Sequence, residues 1–128
     1  MENIKLDKYY ECGNGWIALI EQAKTIVAQY NLKHPNDEPI KFTQIKEKWG
    51  GLRLYINYYV PEITYHLQAL ENKSFEICEH CGTNKNVKTE YTHGWVMTLC
   101  DECRKKELEN FYQVKGKLDN KLYNNEDN

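Results

Sequence analysis

Two cysteine pairs dominate the chemistry available to this sequence: Cys78-Glu79-His80-Cys81 and, after eighteen intervening residues, Cys100-Asp101-Glu102-Cys103. Two C-x2-C pairs at this separation form the four-cysteine zinc pattern. A two-residue gap lets both thiolates of a pair converge on one ion, and two pairs complete a tetrahedron with Zn–S bonds of about 2.3 Å. The expected cofactor is one structural Zn2+, because a closed shell of four thiolates leaves no position for water or substrate. His80 and His93 are spare ligand candidates, since the four thiols already suffice. Cys12 stands outside the spacing and reads as a partly buried thiol.

A second constellation precedes the cysteines. Ile40 to Trp49 and Leu52 to Val60 alternate in polarity, and Gly50-Gly51 between them suits a two-residue hairpin turn. Such a turn sets Trp49 opposite Leu52, Lys48 opposite Arg53, Lys46 opposite Tyr55 and Gln44 opposite Asn57. Ile45, Trp49, Leu52, Leu54, Ile56 and Tyr58 then share a core face, with Thr43 and Glu47 among them. Gln44, Lys46, Lys48, Arg53, Tyr55, Asn57 and Tyr59 share the other. Three cations with no acid between them repel across strands. With two tyrosines they suit a phosphorylated, planar ligand: Arg and Lys meet phosphate oxygens and a ring stacks on a base. A solvated strand face is the plainer alternative. Trp95, in His93-Gly94-Trp95, is a further contact candidate, with core cover as its alternative.

The elements that must position these groups give an α+β fold. Apolar residues recur at helical spacing through Trp16, Leu19, Ile20, Ala23, Ile26, Val27 and Tyr30, ahead of the turn residues His34 to Asp37. Before them, residues 1–15 read as an irregular arm ending in the helix entrance Gly13-Asn14-Gly15. After the hairpin, Pro61 opens a second helix with Ile63, Leu67 and Leu70 on one face, running to about Phe75. The finger follows, as a hairpin through Val87–Leu99 with Gly94 near its turn, then a helix from near Asp101 carrying Leu108, Phe111, Tyr112, Lys115 and Leu118. That order describes a treble-clef-like finger, with a zinc ribbon as the alternative. The expected organisation is a helix–hairpin–helix part (1–76) and a zinc finger with its helix (77–118) as one compact unit, then a flexible polar tail (119–128).

A chain of 128 residues affords one small core, for which a metal staple makes physical sense. The net charge of −2 argues against non-specific nucleic-acid binding, whose affinity comes from many phosphate contacts. No segment reads as a signal peptide or membrane span, so the expected location is the cytoplasm, where five cysteines point to metal ligation before disulfides. No P-loop, G-x-S-x-G, H-E-x-x-H or dinucleotide fingerprint occurs. Cys12 and His34 could in principle form a thiol–imidazole pair, but nothing in the sequence sets their geometry, so a binding protein is expected rather than an enzyme.

Cys12-Gly-Asn-Gly-Trp16, Gln44-Ile-Lys-Glu-Lys-Trp-Gly-Gly-Leu-Arg53, Cys78-Glu-His-Cys-Gly82, Gly94-Trp95 and Leu99-Cys-Asp-Glu102 together resemble a family of small uncharacterised phage and prophage proteins, over roughly residues 11–104. In that family the last metal position is often His, where this chain has Cys103. The resemblance carries over no catalytic residue. It implies a phage-encoded protein in a bacterial cytoplasm that acts by binding. One expectation is sequestration of a small phosphorylated ligand, such as a nucleotide immune signal, in a pocket within one chain or a homo-oligomer. The other is an adaptor or inhibitor that binds a host protein, or less expectedly a nucleic acid, through the hairpin face or the finger.

Overall fold

The apolar stripe that begins at Trp16 becomes α1 (Ile17–Lys33), entered through one 3-10 turn over Asn14–Trp16. The computed structural model describes residues 10–126. Trp16, Leu19, Ile20, Ala23 and Val27 are buried, with Ile26 and Tyr30 packed against them. From the last turn of α1, the Asn31 side chain holds Ile40, accepting from its N–H (2.8 Å) and donating to its carbonyl (3.0 Å). That clasp fixes where the sheet begins.

β2 (Phe42–Lys48) and β3 (Gly51–Ile56) form the expected hairpin with a corrected register. Lys48 pairs with Gly51, Glu47 with Leu52, Lys46 with Arg53, Ile45 with Leu54 and Gln44 with Tyr55. The turn residues are therefore Trp49 and Gly50, with φ of 54° and 83°, and not Gly50-Gly51. Positive φ at both central positions is the type I′ geometry that matches the twist of the flanking strands. Glu47 supports it, its Oε2 accepting from the Gly50 N–H at 2.7 Å.

A slip of two residues preserves the side-chain faces, where a slip of one would have reversed them. Ile45, Leu52 and Leu54 accordingly remain buried. Trp49 does not; it sits at the turn, 70% exposed. Asn57 also leaves the face, because regular pairing breaks at Thr43 and β3 ends at Ile56. Its side chain instead straps the incoming loop, accepting from the Lys41 N–H at 2.9 Å and donating to the Pro39 carbonyl at 3.1 Å.

A short strand, β1 (Tyr10–Glu11), runs parallel to β2 and sets Glu11 beside Lys46, within the segment read as an irregular arm. Residues 1–9 of that arm lie outside the described residues. α2 (Pro61–Lys73) buries Ile63, Leu67 and Leu70 and passes into a 3-10 turn over Ser74–Glu76. It also closes the outer edge of β3. The Leu54 N–H donates to Glu71 Oε2 at 2.8 Å and the Leu52 N–H to Ser74 Oγ at 2.9 Å, so donors that would template foreign strands are spoken for.

β4 (Val87–Thr92) and β5 (Trp95–Cys100) pair about the turn His93-Gly94, and α3 (Asp101–Glu126) follows directly. Knuckle, hairpin and helix in that order make the finger treble-clef-like rather than a ribbon. α3 continues as helix past Asp119, where the sequence suggests a flexible tail; residues 127–128 lie outside the described residues. Only its start packs on the body. From Glu109 to Lys121 every residue is exposed. Among the described residues, no helix is long and apolar enough to cross a membrane.

Candidate metal centre and the surfaces it supports

The fold brings together Cys78, Cys81, Cys100 and Cys103, with all four sulfurs within 4.8 Å of one another. Tetrahedral ligation at about 2.3 Å requires S–S edges of about 3.8 Å. The Cys81 and Cys100 sulfurs lie 3.8 Å apart. In each pair the backbone N–H of the second cysteine points at the first sulfur, Cys81 N to Cys78 Sγ at 3.5 Å and Cys103 N to Cys100 Sγ at 3.4 Å.

Burial of Cys78 opposes ionisation, but N–H groups of Cys100, Cys81 and His80 outweigh it and bring the thiol down to about 7. Cys103 is pushed well up, by burial first and then by competition with the neighbouring thiols. Four thiolates cannot share this volume without a cation among them. The donor set and its spacing therefore fit one soft, tetrahedral metal ion. Neither His80 nor His93 belongs to the cluster. His93 instead meets Glu107 Oε1 through Nε2 at 3.0 Å and stacks on Phe111 at 4.6 Å.

The centre is clasped from two sides by the other half of the chain. Gly13-Asn14-Gly15 lies against the knuckle: the Gly15 N–H donates to the Glu79 carbonyl at 2.7 Å and the Gly13 N–H to Glu79 Oε2 at 3.0 Å. A Cβ on Gly15 would stand 2.0 Å from the Cys78 carbonyl oxygen, so only glycine permits this approach. Next to it, Trp16 Nε1 donates to the Ile77 carbonyl at 2.9 Å. On the other side the first hairpin's tip rests on β4 and β5, where Thr98 Oγ1 donates to the Gly50 carbonyl at 2.5 Å and meets Thr89 Oγ1 at 2.7 Å. Sequence reasoning missed the first clasp, although two glycines flanking one residue beside a tryptophan are a signal of close backbone approach.

The hairpin's cationic surface is smaller than expected. Lys46 and Arg53 stand side by side as strand partners, flanked by Gln44, Lys48 and Tyr55, of which the last three are exposed. Arg53 Nε is buried without a hydrogen-bond partner among the described residues. Glu11 beside Lys46 supplies an acid that the hairpin alone lacks.

Trp95 is not part of this face. It is 69% exposed and lines a cleft of about 340 Å³ with Glu47, Glu79, His80, His93 and Glu107. Burial raises the Glu79 carboxyl above its ordinary value, the Gly13 N–H partly offsets this, and Glu47 raises it further. β2 thus separates a basic surface from an acidic one. A second, shallow cleft lies on α1 around Ala18, Gln22 and Ile26, and neither cleft is lined by Lys46, Lys48, Arg53 or Tyr55.

Cys12 is half-buried, its thiol pushed up to about 11 by burial first and then by Glu79 and Glu47. Compared with protein-family models, curated proteins and solved structures, the chain matches none.

Proposed function

We propose that this chain is a binding protein stabilised by one structural Zn2+, and that its sheet face receives a phosphorylated ligand. The observation that carries the reading is the juxtaposition of half-buried Lys46 and Arg53 beside the exposed Gln44, Lys48 and Tyr55. Arg presents a planar fork to phosphate oxygens and Lys a mobile point charge. Tyr55, next to Gln44 in the register, offers a ring for a base. On the resemblance to small phage proteins, the ligand is a nucleotide signal of the host, sequestered to blunt its defence. The openness of the face favours a second reading, an extended phosphorylated strand lying along β2 and β3.

Native mass spectrometry of the zinc-loaded protein, with a nucleotide mixture and with a short single-stranded oligonucleotide, tests both readings. One zinc per chain is expected, with a nucleotide or oligonucleotide adduct that Lys46→Ala and Arg53→Ala each abolish. Asn57→Ala should leave the adduct intact, because that side chain is spent on the loop. No adduct with either probe, or one indifferent to Lys46 and Arg53, sinks the phosphate reading.

A further inference from the structure

α3 last rests on His93 through Phe111 and runs as helix with every residue from Glu109 to Lys121 exposed. Tyr112 (62%), Val114 (60%) and Leu118 (57%) are large apolar or aromatic groups in water. An isolated helix of this length is marginal in water. Its interior also holds Gly116, about 1 kcal/mol worse than alanine there, and a Cβ at Gly116 would meet nothing within 4 Å. Apart from Phe111, stacked on His93 at 4.6 Å, the exposed stretch has neither packing within the described residues nor propensity to support it.

Its pattern has a two-sided order. Leu108, Phe111, Lys115 and Leu118 recur at spacings of three and four, the seam positions of a paired helix. Along one flank of that seam come Glu107, Val114 and Lys121, seven residues apart. This flank is symmetric about Val114, with an acid seven residues before it and a base seven residues after. In an antiparallel pair like flanks face each other, so Glu107 of one helix would meet Lys121 of the other at both ends, with Val114 against Val114 at the two-fold axis. Leu108 then faces Leu118, and Phe111 faces the aliphatic stem of Lys115. A parallel pair would instead set Lys115 on Lys115 within the seam. Glu107 meets His93 through Oε1 at 3.0 Å, and its side chain stays 28% exposed to such a lysine, beside a cleft with no Lys or Arg in its lining.

We propose that α3 is a dimerisation helix that pairs antiparallel with α3 of a second copy of this chain. The pairing is independent of any ligand on the sheet face.

Sedimentation velocity of the full zinc-loaded chain, over about 1 to 300 µM, reads the pairing directly, a span that covers weak to moderate dimers. A monomer–dimer equilibrium is expected. Leu118→Lys, at an exposed position that the monomer's fold does not need, should weaken it at least about tenfold. Glu107→Lys and Lys121→Glu should each weaken self-association, and mixing the two variants should restore dimers, since each then supplies what the other lacks. Val114→Cys should cross-link copies of the zinc-loaded protein under mild oxidation. A monomer throughout that range overturns the proposal, as does a dimer indifferent to Leu118→Lys. Failure of the mixed variants to associate overturns the antiparallel register.

Discussion

Replacing Gly15 with alanine tests whether the metal knuckle and the first helix are one structure. The new Cβ would lie 2.0 Å from the Cys78 carbonyl oxygen and 2.6 Å from the Glu79 carbonyl group, all rigid backbone. Ordinary contact begins near 3.4 Å, so the two segments must part by more than an ångström. Three hydrogen bonds cross that seam: Gly15 to Glu79, Gly13 to the Glu79 carboxylate, and the Trp16 indole to Ile77. At about 1 kcal/mol each, losing them removes about 3 kcal/mol, before any loosening of buried Trp16. Total stability for a domain is about 5–15 kcal/mol. For a chain of this size each kcal/mol moves the midpoint by about 3–5 °C, so Tm should fall by about 10–15 °C. Thermal melts followed by circular dichroism on zinc-loaded protein measure this, with Gly116→Ala as a control whose Cβ meets nothing. A Gly15→Ala protein melting within about 2 °C of the parent, a shift worth less than about 1 kcal/mol, would refute the clasp.

Other perturbations reach separate parts of the structure. Cys100→Ser should abolish stoichiometric metal in elemental analysis and melt the finger, since apparent zinc binding in finger peptides is worth about 10–16 kcal/mol. Ser74→Ala leaves the buried Leu52 N–H unsatisfied and should lower stability by about 1–3 kcal/mol in urea titration. Cys12, its thiol raised to about 11, should react slowly with iodoacetamide at neutral pH, the rate climbing only toward that value. Because the folded pKa lies above the ordinary 9.0, Cys12 favours the fold below pH 9, and this contribution is lost as pH rises from 9 through about 11. A melting midpoint that rises across that interval, or fast labelling at pH 7, contradicts this.

The sequence was most legible where spacing encodes geometry. The cysteine pairs, the Trp16 to Val27 stripe and the Ile63–Leu67–Leu70 face each lie where period and ligand gap place them. The first hairpin was legible in its faces and not in its turn. A non-glycine residue rarely takes positive φ, so Gly50-Gly51 reads as the turn, whereas the chain turns at Trp49-Gly50 with the Glu47 carboxylate holding the Gly50 N–H. Asn57 looked like a strand residue because alternation continues through it, but side-chain bonds to the loop decide its role. The two-residue β1 carries no periodicity at all, so the acid that it sets beside Lys46 was invisible. The acidic cleft draws its carboxylates from β2, the knuckle and α3, and no local pattern announces such convergence.

The clasp around the knuckle also governs when this molecule can fold. Gly13 bonds to a residue 66 positions later, Trp16 to one 61 later, and Gly50 to one 48 later. At a synthesis rate of about 5–20 residues per second, the first glycines wait about 3–13 s for their partners to be made. Until then α1 and the first hairpin can form local contacts, yet the tip and the helix entrance stay open. Closure over such sequence distances is intrinsically slow. Completion of the fold is therefore a late event, because both clasps close on residues of the cysteine-bearing half, which is made last.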